Sequence, residues 1–137
     1  MYQNILVPVA FDENSDTKAR AAMSVAETLA GTGARITLLH VIEQVPGYVS
    51  SYLPGDYIAK ARNAIETHLQ DLAAQLPGSV ALVVDGHSGR TILDWAADNS
   101  VDLIVIASHR PGMQDLLLGS TAAQVVRHAP CAVHVLR

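Results

Sequence analysis

The sequence predicts a single α/β domain, a three-layer sandwich in which helices cover both faces of a five-stranded parallel sheet. Three short runs of consecutive β-branched and aliphatic residues indicate strands that are buried on both faces, because a half-exposed strand would alternate polar and apolar residues. Segments with apolar residues at spacings of three and four separate these runs. Such an alternation of strands and helices favours parallel strands joined by right-handed crossovers.

The five predicted strands differ in how continuous their apolar runs are. The third and fifth are shorter or interrupted, so we expect them at the periphery of the sheet. His134, in the fifth run, suits an edge strand with one side partly in water. In chain order the predicted strands are 5–9, 36–41, 80–84, 103–107 and 132–136.

The first predicted helix has recognisable start and stop signals. It opens after Asn14, Ser15 and Asp16, all of them good N-cap residues. It closes at Gly31 and Gly33, because glycine commonly ends a helix. The residues that we expect on its buried face are Ala19, Ala22, Met23, Ala26, Leu29 and Ala30.

Three further helices follow the same pattern. The second ends at Pro77 and Gly78, the third begins near Ser88 with this serine as its cap, and the fourth begins at 119–120 and stops before Pro130. The buried faces are predicted to be Ile58, Ala61, Ile65, Leu69, Leu72 and Leu76 in the second helix, Ile92, Leu93, Ala96 and Ala97 in the third, and Ala122, Val125, Val126 and Ala129 in the fourth.

Size and charge exclude several classes of protein. A chain of 137 residues is long enough for one well-cored domain, 1–137, and too short for two. Nine basic residues against thirteen acidic ones give a net charge of −4, with no basic run. We therefore expect neither nucleic acid nor a membrane surface as a partner.

The compartment is predicted from cysteine usage and from the start of the sequence. Cys131 is the sole cysteine and cannot form an internal disulfide, which favours a reducing compartment. The first four residues carry no basic segment, and Pro8 interrupts the apolar run that follows them. A cytoplasmic location is the expectation.

The candidate ligand site lies at the carboxyl edge of the predicted sheet, where open doubly wound sheets bind their ligands. The fourth strand ends in small residues, and its loop at 109–118 leads to a helix that begins Gly119, Ser120 and Thr121. Free N–H groups and hydroxyls at such a helix start suit an anion, and Arg110 adds a permanent charge that suits phosphate. The other long loop, 43–55, is also predicted to be functional.

Each of these features also has a plainer interpretation. A Gly-Ser pair before a helix is most often only an N-cap. His109 could be bonded to its own backbone, and Arg110 could be solvated. The six histidines and one cysteine lack the spacing of metal ligands, so we expect no metal site, and no catalytic residue is assigned. The coincidence of the three features in one strand-loop-helix unit favours a binding site.

At this point the sequence resembles the universal stress protein family over its whole length. The Ser-His-Arg-Pro variant at 108–111 is similar to the small single-domain bacterial members of the UspF and UspG type. The resemblance is carried by residues 4–9 (NILVPV), 39–42 (LHVI), 104–111 (IVIASHRP), 116–122 (LLLGSTA) and 125–133 (VVRHAPCAV).

The resemblance implies a Rossmann-like sheet of order 3-2-1-4-5 that holds ATP between the ends of the first and fourth strands. It also implies a regulatory role in the stress response and a homodimer through the last strand. From the residues themselves we expect, at most, weak ATP hydrolysis. The Mg²⁺ that accompanies many nucleotides is left open. Carried over by position, the adenine side is Pro8, Val9 and Val41, the ribose and phosphate side is Ile106, Ala107, Ser108, His109 and Arg110, and the phosphate end is Gly119, Ser120 and Thr121.

The chain departs from the family's nucleotide motif, G-x2-G-x9-G-[ST], at both of its first glycines. Ala107 stands at the first and Arg110 at the second, and only eight residues separate Arg110 from Gly119. Ala10 replaces the aspartate that usually follows the first strand, and Asp12 is the residue that could substitute for it. We include Ala10 and Asp12 in the predicted site.

Three hypotheses of function remain open at this stage. The first is a nucleotide-binding regulator, which the strand-loop-helix unit favours. The second is a phosphoryl-transfer enzyme, which the absence of a G-x4-G-K-[ST] loop in the sequence disfavours. The third is a dimerisation module with a vestigial pocket. For dimerisation, residues 131–136 lack the Lys, Asp or Glu that would discourage pairing at an edge strand.

Overall fold

The computed structural model describes residues 1–11, 15–44, 46–108 and 118–137, and these form the predicted sandwich. Its parallel sheet has the order β3-β2-β1-β4-β5, which confirms the fold class and the implied strand order. The strands are β1 Tyr2–Pro8, β2 Ala30–Ile42, β3 Ser79–Asp85, β4 Leu103–Ala107 and β5 Ala132–Leu136, and the helices are α1 Ser15–Leu29, α2 Gly47–Ser50, α3 Tyr57–Ala74, α4 Ser88–Asp98 and α5 Ser120–His128.

Two hydrophobic cores lie on opposite faces of the sheet. Successive side chains of a strand point to opposite faces, so the unbroken apolar run of β1 supplies both cores. Ile5 and Val7 pack with α1 and α3 in one core, and Leu6 packs with α4 and α5 in the other. All three side chains are fully buried. The continuous apolar pattern therefore reflects burial on both faces, as predicted.

The two edge strands are β3 and β5, the runs that were predicted to be peripheral. Residues of β3 are at best half-buried. His134 in β5 is exposed, which agrees with its predicted place on an edge strand. The described part of the sheet thus ends in two strands with one open side each.

The prediction that Gly31 and Gly33 end the first helix is wrong. Helix α1 ends at Leu29, and β2 begins at once, six residues before its predicted start. The pairing of β1 with β2 is irregular here, with a register shift between Tyr2 and Asn4. A Cβ on Gly31 would collide with the side chain of Gln3, which lies close to the backbone at this position. Gly33 has a φ of +75°, a conformation that glycine adopts readily. The two glycines therefore belong to an irregular part of the strand and not to a helix end.

The predicted buried face of the second helix, which is α3 in the structure, is correct only in its second half. Leu69 and Leu72 are buried, but Ile58 is 51% exposed, Ala61 is exposed and Ile65 is only half-buried. Eighteen helical residues span about 27 Å, whereas the seven residues of β3 span about 23 Å. Because α3 runs antiparallel to the strands, its first turn extends past the end of β3, which agrees with the exposure of Ile58.

Two other boundaries also differ from the predictions. The single turn of α2 lies inside the segment 43–55, which was predicted to be a loop. Helix α3 ends at Ala74, before the Pro77 that was predicted to stop it, although Leu76 beyond its end is still buried. Local hydrogen bonds explain the earlier end, since the N–H groups of Gln75 and Leu76 bond to carbonyls three residues back.

A polar cluster joins β1 to the start of β4 at the amino edge of the sheet. The Asp102 carboxylate accepts hydrogen bonds from the backbone N–H of Gln3 at 2.8 Å and of Asn4 at 3.0 Å. The Asp102 N–H donates to the Asn4 carbonyl at 2.9 Å, and the Asn4 side chain donates to the Asn99 carbonyl at 2.7 Å. These bonds hold the central strands side by side at this edge.

At the carboxyl edge the same two strands separate. Strands β1 and β4 pair at Ile5–Leu103 and at Leu6–Ile104, and beyond these positions the described residues of the two strands are not paired with each other. Beyond that point the Val9 N–H donates to the Leu39 carbonyl of β2 at 2.8 Å. The chain winds outward in both directions from the central pair β1 and β4. The gap between the carboxyl ends of these two strands is therefore the switch point at which such sheets bind ligands. None of the described helices is long and apolar enough to span a bilayer.

Candidate functional site

A cavity of about 470 Å³ opens at the switch point, beyond the carboxyl ends of β1 and β4. This volume is within the usual range for small-molecule sites. Asp12, His109 and Arg110 lie outside the described residues. The ten remaining residues of the predicted site all line the cavity: Pro8, Val9, Ala10, Val41, Ile106, Ala107, Ser108, Gly119, Ser120 and Thr121.

The cavity has further walls that the sequence interpretation missed. Ser15 and Lys18 come from α1, His40 comes from β2, and Ser88 comes from α4. One signal could have identified the serines, because a helix that follows a strand in this fold begins at the carboxyl edge of the sheet. The remaining wall is apolar and consists of Ala19, Ala22, Leu39, Ile92 and Ala122.

Three helices begin at this cavity. Ser15, Ser88 and Ser120 are the first residues of α1, α4 and α5, and all three line it. The N–H groups of a first helical turn lack partners within the helix, and each helix carries about half a positive charge at this end. The electrostatics of these helix starts therefore favour an anion, which at α4 is the Glu43 carboxylate of the protein itself.

Ser108 connects three elements beneath the cavity. Its N–H and its hydroxyl both donate to the Leu136 carbonyl at the end of β5, at 2.8 and 2.9 Å. Its own carbonyl accepts the Gly119 N–H at 2.8 Å, which fixes the start of α5. Ser108 is only 4% exposed. Its hydroxyl proton is thus used within the fold, and the residue positions α5.

At Gly119 the backbone lies so close to Ser108 that a side chain would be crowded. A Cβ there would lie 3.1 Å from the Ser108 carbonyl oxygen, the same atom that accepts the Gly119 N–H. The Ala123 N–H donates to the Gly119 carbonyl at 2.8 Å, so helical bonding begins with Ala123. The N–H groups of residues 120–122 lie at the start of α5, the end of the helix that lines the cavity, and they have no acceptor within the helix.

His40 forms a neutral side of the cavity. Its Nδ1–H donates to the Val9 carbonyl at 2.7 Å, which leaves Nε2 as an acceptor. Burial lowers the pKa of His40 below its ordinary value, against a smaller raising effect of the bond to Val9, so the ring is uncharged at neutral pH. The ring of Phe11 packs edge-on against the His40 ring, with 4.7 Å between the two centroids. The Phe11 ring also contacts the ring of His68, whose Nε2 lies 2.7 Å from Asp16 Oδ1.

A second, smaller cavity of about 430 Å³ adjoins the first and shares Ser88, Ser120 and Thr121 with it. Glu43 closes one side of it, with Oε1 accepting the Ser88 hydroxyl at 3.1 Å and the Ser88 N–H at 3.4 Å. The prediction that Ser88 caps its helix is therefore wrong. Ser88 is the first residue of α4 rather than the residue before it, and the carboxylate that accepts its N–H is that of Glu43. No cluster of three or more His, Cys, Asp or Glu side chains in the described parts of the chain is arranged to hold a metal ion.

The cavity lies at the switch point of a doubly wound parallel sheet, the position at which α/β domains of this kind bind their ligands. The chain belongs to the universal stress protein family, whose model matches residues 1–137. This confirms the resemblance that the sequence motifs indicated. The family's members are stress proteins, so this chain is one as well.

Curated relatives match the chain over its full length. A universal stress protein from Thermus aquaticus, described as lying in the QAH/OAS sulfhydrylase 3' region, is 31% identical over 140 residues, and the match covers all of both chains. Universal stress protein G from Salmonella typhimurium is 33% identical over 149 residues and is also fully covered. The chain thus spans the whole length of these relatives.

Solved structures agree with the family and the fold. Universal stress protein UspA from Lactobacillus plantarum is 30% identical, with a TM-score of 0.72 over 99% of this chain and 98% of its own. A universal stress protein in complex with cAMP has 21% identity and a TM-score of 0.67 over 99% and 97%. An Arabidopsis thaliana family member with AMP bound has 17% identity and a TM-score of 0.63 over 98% and 90%.

Proposed function

We propose that this universal stress protein is a regulator that binds ATP in the larger cavity. The observation that carries the proposal is the convergence of ten motif residues, from three strands and one helix, on a single cavity at the switch point. The cAMP and AMP complexes of the two distant family members support an adenine nucleotide as the ligand class. ATP itself is our inference from the motif.

The walls of the cavity divide by chemistry in a way that suits a nucleotide. Pro8, Val9 and Val41 are apolar and stand on the proposed adenine side. Ser120 and Thr121 belong to the first turn of α5, where N–H groups and hydroxyls suit phosphate oxygens. The base would lie against the apolar strand ends and the phosphates at the helix start. Asp12, His109 and Arg110 remain part of the proposed site.

Calorimetry with ATP and a Ser120→Ala variant tests the proposal. We expect the unmodified protein to bind ATP at cellular concentration, and the variant to bind about five to ten times more weakly, because a hydrogen bond to a charged phosphate is lost. Ser24→Ala is the matched control, an exposed serine in the middle of α1. A protein that shows no heat of binding at millimolar ATP would contradict the proposal.

We further propose that the protein acts in the cytoplasm as a homodimer that pairs through β5. This strand is at the edge of the sheet, and its Ala132 and His134 are exposed. An uncharged edge strand readily pairs with a second copy. Sedimentation at micromolar concentration is expected to give twice the 14.5 kDa mass of the chain. A mass of one chain under these conditions would exclude the dimer.

A further inference from the structure

We propose that Lys18 makes the cavity select nucleotides that carry a phosphate over the uncharged nucleoside. The inference rests on the proposed function and adds to it a residue outside the nucleotide motif. Lys18 is the only charged side chain among the described residues that line the larger cavity. It is half-buried there.

The position of Lys18 in the fold brings it to the phosphate-binding edge. It is the fourth residue of α1, at the end of the first turn that begins at Ser15, and both residues line the cavity. The apolar wall beside them is Ala19 and Ala22, which are 5% and 2% exposed. The butyl stem of a lysine packs well against such a wall while its ammonium reaches polar surroundings.

The placement of a lysine there opposes a local rule of helix stability. The amino end of a helix is the positive end of its dipole, so an acid in the first turn stabilises the helix and a cation opposes it. Asp16 obeys the rule and Lys18 breaks it. Sequences break local rules most often at functional sites, so this placement favours a role for Lys18 in the cavity.

The other lysine of the chain provides the contrast. The sequence contains two lysines, and the second, Lys60, lies on the exposed face of α3. Its Nζ is 2.7 Å from Asp56 Oδ2, one turn earlier in the chain, and its side chain is 77% exposed. A charge at that surface is screened by solvent, whereas a half-buried ammonium interacts more strongly with a nearby phosphate. Lys60 is therefore the matched control for Lys18.

Binding of AMP and of adenosine, measured by calorimetry on four proteins, tests the inference. The proteins are the unmodified chain, Lys18→Met, Lys18→Arg and Lys60→Met. We expect Lys18→Met to weaken AMP binding about tenfold, the size of one charge-assisted hydrogen bond. Adenosine binding should change less than twofold, because methionine keeps the stem and removes only the charge. Lys18→Arg should retain most of the AMP affinity, and Lys60→Met should match the unmodified chain.

The design separates failure of this inference from failure of the proposed function. If the unmodified chain binds neither ligand, ATP replaces AMP in the same comparison, and absence of ATP binding as well means that the proposed function itself is wrong. If it binds AMP and Lys18→Met binds AMP equally well, the cavity binds nucleotides without the help of Lys18. If Lys18→Met loses AMP and adenosine to the same degree, Lys18 does not distinguish ligand charge. A thermal unfolding midpoint close to that of the unmodified chain verifies that each variant is folded.

Discussion

Replacing Ala107 with leucine is expected to weaken ATP binding by about 3 kcal/mol, roughly a hundredfold, because overfilling a closely packed space costs this much. Ala107 is the last residue of β4 and lines the cavity at the proposed ribose side. Its half-buried side chain leaves a ligand close access to the strand end. Three additional carbon atoms would occupy the space that the nucleotide needs. ATP titration calorimetry measures the change.

The fold should tolerate the Ala107→Leu substitution, because Ala107 lines a cavity that can receive the additional atoms. We expect its unfolding midpoint in urea to stay close to that of the unmodified protein. Ala64→Leu is the matched control, since Ala64 is exposed on α3 and is not one of the residues that line the cavity. Unchanged ATP affinity in a folded Ala107→Leu protein would show that the nucleotide does not occupy this cavity.

Replacing Asp102 with alanine is expected to lower the free energy of unfolding by about 2 kcal/mol, since hydrogen bonds to a charged group are lost. The carboxylate accepts the N–H groups of Gln3 and Asn4 at 2.8 and 3.0 Å. Alanine offers these donors no partner, and the bond to Asn4 is partly buried. A chain of this length should lose about 7 °C in melting temperature for this energy. Equilibrium unfolding in urea measures the energy.

Two further variants define what the loss at Asp102 means. Asp102→Asn keeps one side-chain oxygen as acceptor, so its stability should fall between those of alanine and the native residue. Asp98→Ala removes an exposed carboxylate at the end of α4 and should change stability by no more than about 0.5 kcal/mol. If Asp102→Ala unfolds at the same urea concentration as the native chain, the cluster does not stabilise the amino edge.

The sequence predicts the sheet well because its strands are buried on both faces. Leu6 and Ile104, for example, are fully buried, and no polar residue interrupts their runs. The sequence predicts less well where the chain leaves the core. Gly31 resembles a helix end, but its role depends on the side chain of Gln3, which is distant in sequence. Ile58 has the spacing of a buried residue, yet its exposure depends on the lengths of the helix and the strand, which spacing alone does not define.

The same distinction applies to the candidate site. The motif at 119–121 and the strand ends at Pro8 and Ala107 are local signals, and they line the cavity as expected. Lys18 and His40 have no local signal that indicates a site, since each is a single polar residue within an ordinary helix or strand. They reach the cavity because α1 begins, and β2 ends, at the same edge of the sheet. Only the topology brings them together with the motif.

The most direct test of the account is a crystal structure of the protein grown with saturating ATP. We expect the base against the ends of β1 and β2, beside Val9 and Val41, and the phosphates at the start of α5, beside Gly119 and Ser120. A nucleotide bound elsewhere, or a cavity that stays free of ATP while side chains fill it, would contradict the central claim.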